Sequence, residues 1–451
     1  MTKSVIVHAM LSRAFAYRIL PAIDGVFLML GLVIALGIRY GSHALMAQFS
    51  VHALPFVIVF SAWLFILRIN DMYHPYESLD IRKILEGSFR SLLVGVSAAV
   101  IFFYAFPVFG ITPRKNLLLI GGIALIIIIL WRYVFAEIIK RYAPLKIFLI
   151  GGAPEITEVA AYIQSRPQLG INVEQHPEIT PAMVSVMSAA GRNYYVVIPE
   201  SVKSSGEQMK RIYALLPSGV QLLDFAALHE RLYHRIPVSL ITELWFLEHI
   251  AEGKKPIYSG VKRIIDIVIG LIVGTITLVL FPFIAFAIKI NSKGPVILPN
   301  HYRVGQNGKI FQLYKFRSME DNAEKHGPQW TQHNDPRITR IGKYLRELRI
   351  DELPQVFNIL RGDLSFVGPR PERPEFVAEL RKEIPFYDMR HLVKPGLSGW
   401  AQTNPPFYYT GTTETIIKLQ YDLYYIKNRS MILDLSVLLN TIVVLFSRLG
   451  R

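Results

Sequence analysis

The chain has 451 residues, 52% hydrophobic and 18% charged, with 49 Lys and Arg against 34 Asp and Glu, and no Cys. Soluble globular chains carry about 25% charged residues, so the composition points to a membrane protein, and the lack of Cys excludes disulfides, thiolate zinc sites and Cys nucleophiles. The net charge of +15 suits anionic lipid or an anionic substrate; no nucleic-acid partner is expected, because much of the basic excess flanks apolar runs.

Four apolar runs come first, at residues 19–38, 45–67, 91–109 and 117–135. Each approaches the roughly 20 apolar residues of a spanning helix, although Gln48 and His52 interrupt the second. No small-residue cleavage site precedes the first run, so that span is expected to stay. Arg13 and Arg18 precede the first run, Arg68, Arg82, Lys83 and Arg90 separate the second from the third, and Arg132, Lys140 and Arg141 end the fourth. Basic loops stay in the cytoplasm, which places the N-terminus, the middle loop and everything beyond the fourth span there.

Residues 145–164, LKIFLIGGAPEITEVAAYIQ, read as an apolar strand, a Gly pair and a helix, and residues 194–200 and 219–225 read as two further buried strands. Strands alternating with helices predict a Rossmann-like, doubly wound α/β domain over 141–250. Gly151-Gly152-Ala153-Pro154 is not the GxGxxG that cradles a dinucleotide, so a structural or regulatory role is expected rather than a nicotinamide site.

Residues 253–295 hold a long apolar run with Lys254, Lys255, Lys262 and Arg263 before it, Lys289 and Lys293 after it, and Pro282 within it. Two basic flanks and a Pro that bends a helix fit either a helix that enters one leaflet and returns, or a Pro-kinked span; the residues leave both open. The final run, 431–446, is broken by Asp434, Ser436 and Asn440 and reads as an interfacial amphipathic helix.

Between these runs the chain is polar and rich in Arg. Arg337, Arg340, Lys343, Arg346 and Arg349 recur every third residue, and Asp351-Glu352 follows them. Such an acid pair serves either as the N-terminal acids of a helix or in phosphate chemistry, where a carboxylate attacks phosphorus while a metal and Arg residues neutralise it. The parts for the second role lie close by: Arg346, a rigid Gly-Pro-Arg-Pro bearing Arg370, and Lys315 and Arg317 on one face of a short strand.

From about residue 262 onward the chain resembles the bacterial sugar transferases that load polyprenyl phosphate, the monotopic phosphoglycosyl transferases. The matching stretches are KRIIDIVIG, KGPVIL, RVGQNGKIF, YKFRSM, NDPRITRIGKYLR, DELPQVFNILRGDLSFVGPRPE, KPGLSGWAQ and YDLYYIKNRSMILDL, in order. The preceding spans and α/β domain resemble the long form of that family, such as undecaprenyl-phosphate glucose or galactose phosphotransferases. The resemblance implies four spans over 1–140, the α/β domain over 141–250, and a mixed α/β transferase domain over 251–451 with a re-entrant helix at about 262–290. It implies that Asp351 attacks the sugar-bearing phosphorus of a UDP-sugar, with Glu352 as its partner assisting metal or proton handling and Mg²⁺ bound at Asp351. Arg346, Arg370, Lys315 and Arg317 are then expected at phosphate, and Lys262, Arg263, Asp266 and Pro282 in the re-entrant helix. The acceptor would be undecaprenyl phosphate in the inner membrane, reached from the cytoplasm, and the donor sugar glucose or galactose, with N-acetylated sugars open. A homodimer through the N-terminal domains is the assembly suggested by analogy.

Departures from the family pattern are Phe281-Pro282 for Ser-Pro, His301 for Gln, Arg429 for Trp, and the stretch TNPPFYYTG at 403–411. They bear on fine substrate contacts. The alternative from a different class is a membrane-anchored nucleotide-sensing scaffold without catalysis.

Overall fold

Gly41 turns the first apolar stretch back on itself. In the computed structural model, which describes residues 13–70, 72–73, 81–106, 113–142, 145–189, 194–215, 217, 221–250, 255–320, 323, 335–404 and 412–447, helix α1 (Arg13–Ile69) is interrupted at Gly41, with φ 75° and ψ 170°. Only Gly adopts that conformation without strain. The two arms fold together: a Cβ at Gly25 would lie 3.5 Å from Leu64. Helices α2 (Ile81–Ala105) and α3 (Pro113–Tyr142) complete the bundle. These helices are long and apolar enough to cross a membrane, and the four expected spans map onto the two arms of α1, α2 and α3. Residues 107–109 of the third run lie outside the described residues.

Two sequence expectations change here. Arg82, Lys83 and Arg90, expected in the loop, belong to the first turns of α2; nothing in that polar stretch breaks a helix, so the helix begins before the apolar run. Arg132, expected as a flanking charge, is 1% exposed. It donates to Met72 O at 2.6 Å and to the buried Asp24 carboxylate, which also accepts from Tyr73 Oη at 2.9 Å. Polar groups inside an apolar bundle persist when paired. His52, which interrupts the second run, is likewise turned inward, its Nδ1 on Gln48 O.

The chain divides into two compact units, Met1–Leu228 and His229–Arg451; this division and the boundary expected at 250/251 do not coincide. The first unit also holds a parallel sheet. Strands β1 (Leu145–Ile150), β2 (Ile171–His176), β3 (Tyr194–Ile198) and β4 (Gln221–Asp224) lie in the order β2-β1-β3-β4. Ile147 pairs with Val173 on one side and Tyr195 on the other. Between strands run helices α4 (Pro154–Gln164), α5 (Pro181–Ala189) and α6 (Gly206–Tyr213). Gly151 ends β1 with φ 127°, and a Cβ there would meet Ile156 at 2.6 Å. The Gln175 side chain crosses this crest to Gly151 O and Thr157 Oγ1, so packing and side chains fill the β1–α4 turn.

The second unit is built on helix α7 (Pro256–Asn291), helical throughout with Pro282 inside it. Its buried positions, Asp266, Gly270, Gly274, Thr277 and Ile288, form one stripe at helical spacing. Many of its other side chains are exposed and apolar, among them Leu271, Phe283 and Phe286. Strands β5 (Tyr302–Val304) and β6 (Ile310–Gln312) form an antiparallel pair, and α8 (Arg340–Glu347) follows, capped by Thr339 Oγ1 accepting from Gly342 N. Helix α9 (Gln355–Arg361) then packs on α7. Strand β7 (Ser365–Val367) leads to α10 (Pro374–Glu383), and β7 pairs in parallel with β8 (Gly396–Ser398). Helices α11 (Thr412–Asn428) and α12 (Met431–Ser447) end the fold. Asp434 and Ser436 of α12 are buried and Asn440 is half-buried, so two of the three polar residues that break its apolar run face protein.

Candidate functional site

The acid pair sits on a 3₁₀ turn, Ile350–Glu352, between α8 and α9. Arg349 enters that turn in the left-handed region, φ 56°, a conformation that costs a non-Gly residue on the order of 1–2 kcal/mol. Tight turning is what aims two adjacent carboxylates at one place. Phe316 N donates to Asp351 O at 2.9 Å, tying the turn to the segment that carries Lys315. Asn358 of α9 fastens that segment from the other side, accepting from Tyr314 N and donating to Gln312 O.

Asp351 is 2% exposed, with Oδ2 2.8 Å from Lys315 Nζ. Its Oδ1 is buried without a hydrogen-bond partner, which is costly for a carboxylate and marks an oxygen held for another use. Glu352 Oε1 accepts from Arg370 Nη2 at 2.8 Å and lies 3.8 Å from Lys315 and 3.7 Å from Arg349. Burial alone would raise the Glu352 carboxyl, but Arg370, Lys315 and Arg349 hold it well below the usual carboxylate range. Glu352 in turn raises Arg370. Burial lowers Arg346, against the pull of Asp351 and Asp335. His301 is pushed down to about 2, chiefly by burial and then by Arg303, Lys315, Arg373 and Arg370. A neutral imidazole therefore stands among cations.

Arg370 is positioned by the Gly-Pro-Arg-Pro stretch. Gly368 N donates to Ser398 O, and Gly396 N to Pro369 O, both at 2.9 Å. A Cβ at Gly396 would meet Gly368 N at 2.1 Å, so this crossing requires glycine. Arg390, which sequence reasoning missed, donates to Arg370 O at 2.8 Å and pairs with Asp422 at 2.8 Å, both side chains fully buried. The only sequence signal for Asp422 was its place in YDLYYIKN.

The structure thus gathers Asp351, Glu352, Lys315, Arg370 and Arg346. Arg317 goes elsewhere. It is 3% exposed, and its guanidinium donates to Ser292 O at 3.0 Å and to Lys293 O, at the end of α7. The expectation that it shares a face with Lys315 rested on strand alternation, but Phe316 forms only an isolated bridge with Ile297. Lys262, Arg263 and Asp266 anchor the start of α7. Lys262 pairs with Asp434 at 2.7 Å. Arg263 donates to Ile359 O and Leu360 O, carbonyls at the end of α9. Asp266 accepts from Ser365 Oγ and Phe366 N of β7. Lys254, much of the 403–411 stretch and Asn334 of the NDPRITRIG motif lie outside the described residues.

Among the described residues no three or more His, Cys, Asp or Glu converge to hold a metal. Mg²⁺ suits a sparser donor set, one or two carboxylates with substrate phosphates and water. The buried, unpartnered oxygen of Asp351 fits such a shared ion.

Residues 257–448 match the family model described as bacterial sugar transferase. A UDP-N-acetylgalactosamine-undecaprenyl-phosphate N-acetylgalactosaminephosphotransferase of Aeromonas hydrophila is 43% identical over 232 residues, covering 50% of this chain and 54% of that protein. A UDP-glucose:undecaprenyl-phosphate glucose-1-phosphate transferase of Escherichia coli K12 is 39% identical over 193 residues, 41% of this chain and 40% of that protein. The exopolysaccharide production protein PSS of Rhizobium leguminosarum bv. phaseoli is 40% identical, over 40% of this chain and 93% of its own length. The chain spans about half the length of the first of these and less of the second.

Proposed function

Because the chain belongs to the bacterial sugar transferase family, we propose that it transfers a sugar 1-phosphate from a UDP-sugar to undecaprenyl phosphate, giving undecaprenyl diphosphate-sugar and UMP. The observation that carries this reading is the buried Asp351, with one oxygen on Lys315 and the other without a partner. In the first displacement Asp351 attacks the phosphorus that bears the sugar. The bond from that phosphorus to the bridging oxygen breaks, and UMP departs with the oxygen and the electron pair. In the second, a phosphate oxygen of the lipid attacks the same phosphorus, the bond to Asp351 breaks, and the carboxylate is restored.

Lys315 and Arg370 supply cations beside the reacting phosphates, where fixed charge is worth more than in water. Glu352 is ionised at neutral pH, which supports a role in holding Arg370 and Lys315 in place rather than in passing protons. Mg²⁺, when bound, neutralises diphosphate charge, and Asp351 would hold it together with phosphate oxygens and water.

The packing of α7 supports a re-entrant helix. Its start is fixed to α9, β7 and α12 by Arg263, Asp266 and Lys262, and its end packs Phe281, Ile284 and Ile288 around Phe316 and Leu345 of the same unit. A span that delivered its end to the opposite side of a bilayer would separate these contacts. The parallel sheet of β1–β4 supports a Rossmann-like middle domain. We place the site on the cytoplasmic side of the inner membrane, at the first membrane step of exopolysaccharide, capsule or O-antigen synthesis, and propose, by analogy with the family alone, a homodimer through the N-terminal domains.

Purified protein with Mg²⁺, undecaprenyl phosphate and UDP-glucose, UDP-galactose or UDP-N-acetylgalactosamine is expected to release UMP from one donor. Asp351→Asn should reduce the rate to background while the protein stays folded. Activity retained in that variant would remove Asp351 as nucleophile. No UMP from any donor, with folded protein in lipid, would favour a nucleotide-sensing scaffold.

A further inference from the structure

Between α7 and α9 lies a cavity of about 640 Å³ that the chemistry above does not use. Its wall is made by Phe281 of α7, Tyr314, and Pro354, Phe357 and Leu360 at and after the start of α9. Arg361 is the lining's charged residue. It is exposed, donates to Tyr314 Oη, and sits with its guanidinium carbon 5.8 Å from the Tyr314 ring centre.

Three observations constrain the occupant. The wall is aromatic and aliphatic, unsuited to a nucleotide diphosphate, which needs many polar partners along its length. Arg361 adds one cation of a kind that grips phosphate. The lining also draws on both parts of the chain that the reaction must bring together. Phe281 precedes Pro282 and the exposed Phe283 and Phe286 on the apolar face of α7. Pro354 caps the start of α9, three residues after Asp351, and Tyr314 precedes Lys315, which pairs with Asp351.

We propose that this cavity seats the acceptor lipid. The first isoprene units of a polyisoprenyl phosphate lie against Phe281, Phe357 and Leu360, and Arg361 with the Tyr314 hydroxyl binds the phosphate. From there a phosphate oxygen reaches the phosphosugar on Asp351; its bond to that phosphorus forms as the bond to Asp351 breaks. Phe281, which stands where the family pattern has Ser, thereby becomes part of the lipid wall and packs at a tilt against Phe316, 5.5 Å between ring centres. This inference rests on the reaction proposed above.

In a two-displacement reaction each kcat/KM reports its own half. For Arg361→Ala, kcat/KM for undecaprenyl phosphate should fall at least about tenfold, the scale of losing a charge-assisted hydrogen bond, while kcat/KM for the UDP-sugar changes less than about twofold. Arg361→Lys should recover part of the loss. Equal loss in both halves, or none in the lipid half, would overturn the assignment. A second measurement does not need turnover. The full chain in phosphatidylethanolamine nanodiscs is labelled with a diazirine-bearing polyisoprenyl phosphate and the modified peptides are mapped. Labelling at Phe281 and Phe357, displaced by undecaprenyl phosphate and not by phosphatidylglycerol, is the expected result. Labelling elsewhere, or equal displacement by phosphatidylglycerol, would reject the acceptor seat. Exchange of labelled UMP into UDP-sugar without lipid tests the covalent step separately, so its absence alongside specific labelling would refute that step and leave the seat standing.

Discussion

His301 makes the site sensitive to acid. Its folded value, about 2, lies below its ordinary 6.5. Between those values the unfolded chain binds a proton that the folded chain refuses, so stability falls as pH drops below about 6.5. At pH 5 one such group accounts for about 2 kcal/mol. Replacing His301 with Gln, which cannot titrate, should shrink the loss of stability between pH 7 and pH 5, as read by chemical unfolding at each pH. An identical loss in both proteins would mean that other groups carry it. Glu372 behaves in the same sense at lower pH: burial raises it, but Lys418 and Arg390 hold it at about 2, so its contribution is present above about 4.5 and lost as pH falls toward 2. Arg317 and Lys315 show how much one residue's surroundings matter. They lie two apart, yet one grips carbonyls at the end of α7 and the other the Asp351 carboxylate.

At the scale of elements, the contact between α7 and α9 holds the site against the apolar helix. Gly270 allows the approach: a Cβ there would lie 2.9 Å from Leu360 Cδ2. The side chain of Gly270→Val should push α9 away and loosen the Arg263 cap, at about 1–3 kcal/mol. Leu360→Ala in the same chain should return more than half of the lost thermal stability, because the two side chains contend for one space. Failure of that rescue would show that the glycine is needed for backbone reasons instead. The strained Arg349 turn is the other element-scale device. Its neighbours on either side are helices, and the turn between them sets where the two carboxylates point.

At the scale of the whole chain, residues 229–250 are built into the second unit. Glu230 accepts from Lys427 and Asn428 at 2.6 Å, Trp400 Nε1 donates to His234 O, and Ile236 N donates to Gln420 O. A fragment of residues 229–451 in lipid should keep UMP release within about tenfold of the full chain, as an independently packed unit would. A fragment beginning at 251 should lose it, having left these partners unpaired. Equal activity in both fragments would show that the segment is dispensable for the site.

The sequence by itself determined the apolar spans, the alternation that builds a parallel sheet, and the cluster of Asp351, Glu352, Lys315, Arg346 and Arg370. Period, length and local charge are properties of neighbouring residues and survive in one dimension. Only the tertiary structure decided that Arg317 and Arg132 are spent on internal partners, that Arg390 and Asp422 fix Arg370 from afar, and that Phe281 and Arg361 share a cavity. Those assignments depend on which chain segments meet. A guanidinium reads the same in sequence whether it faces a substrate phosphate or a buried carbonyl, and desolvation, which only folding imposes, makes the difference.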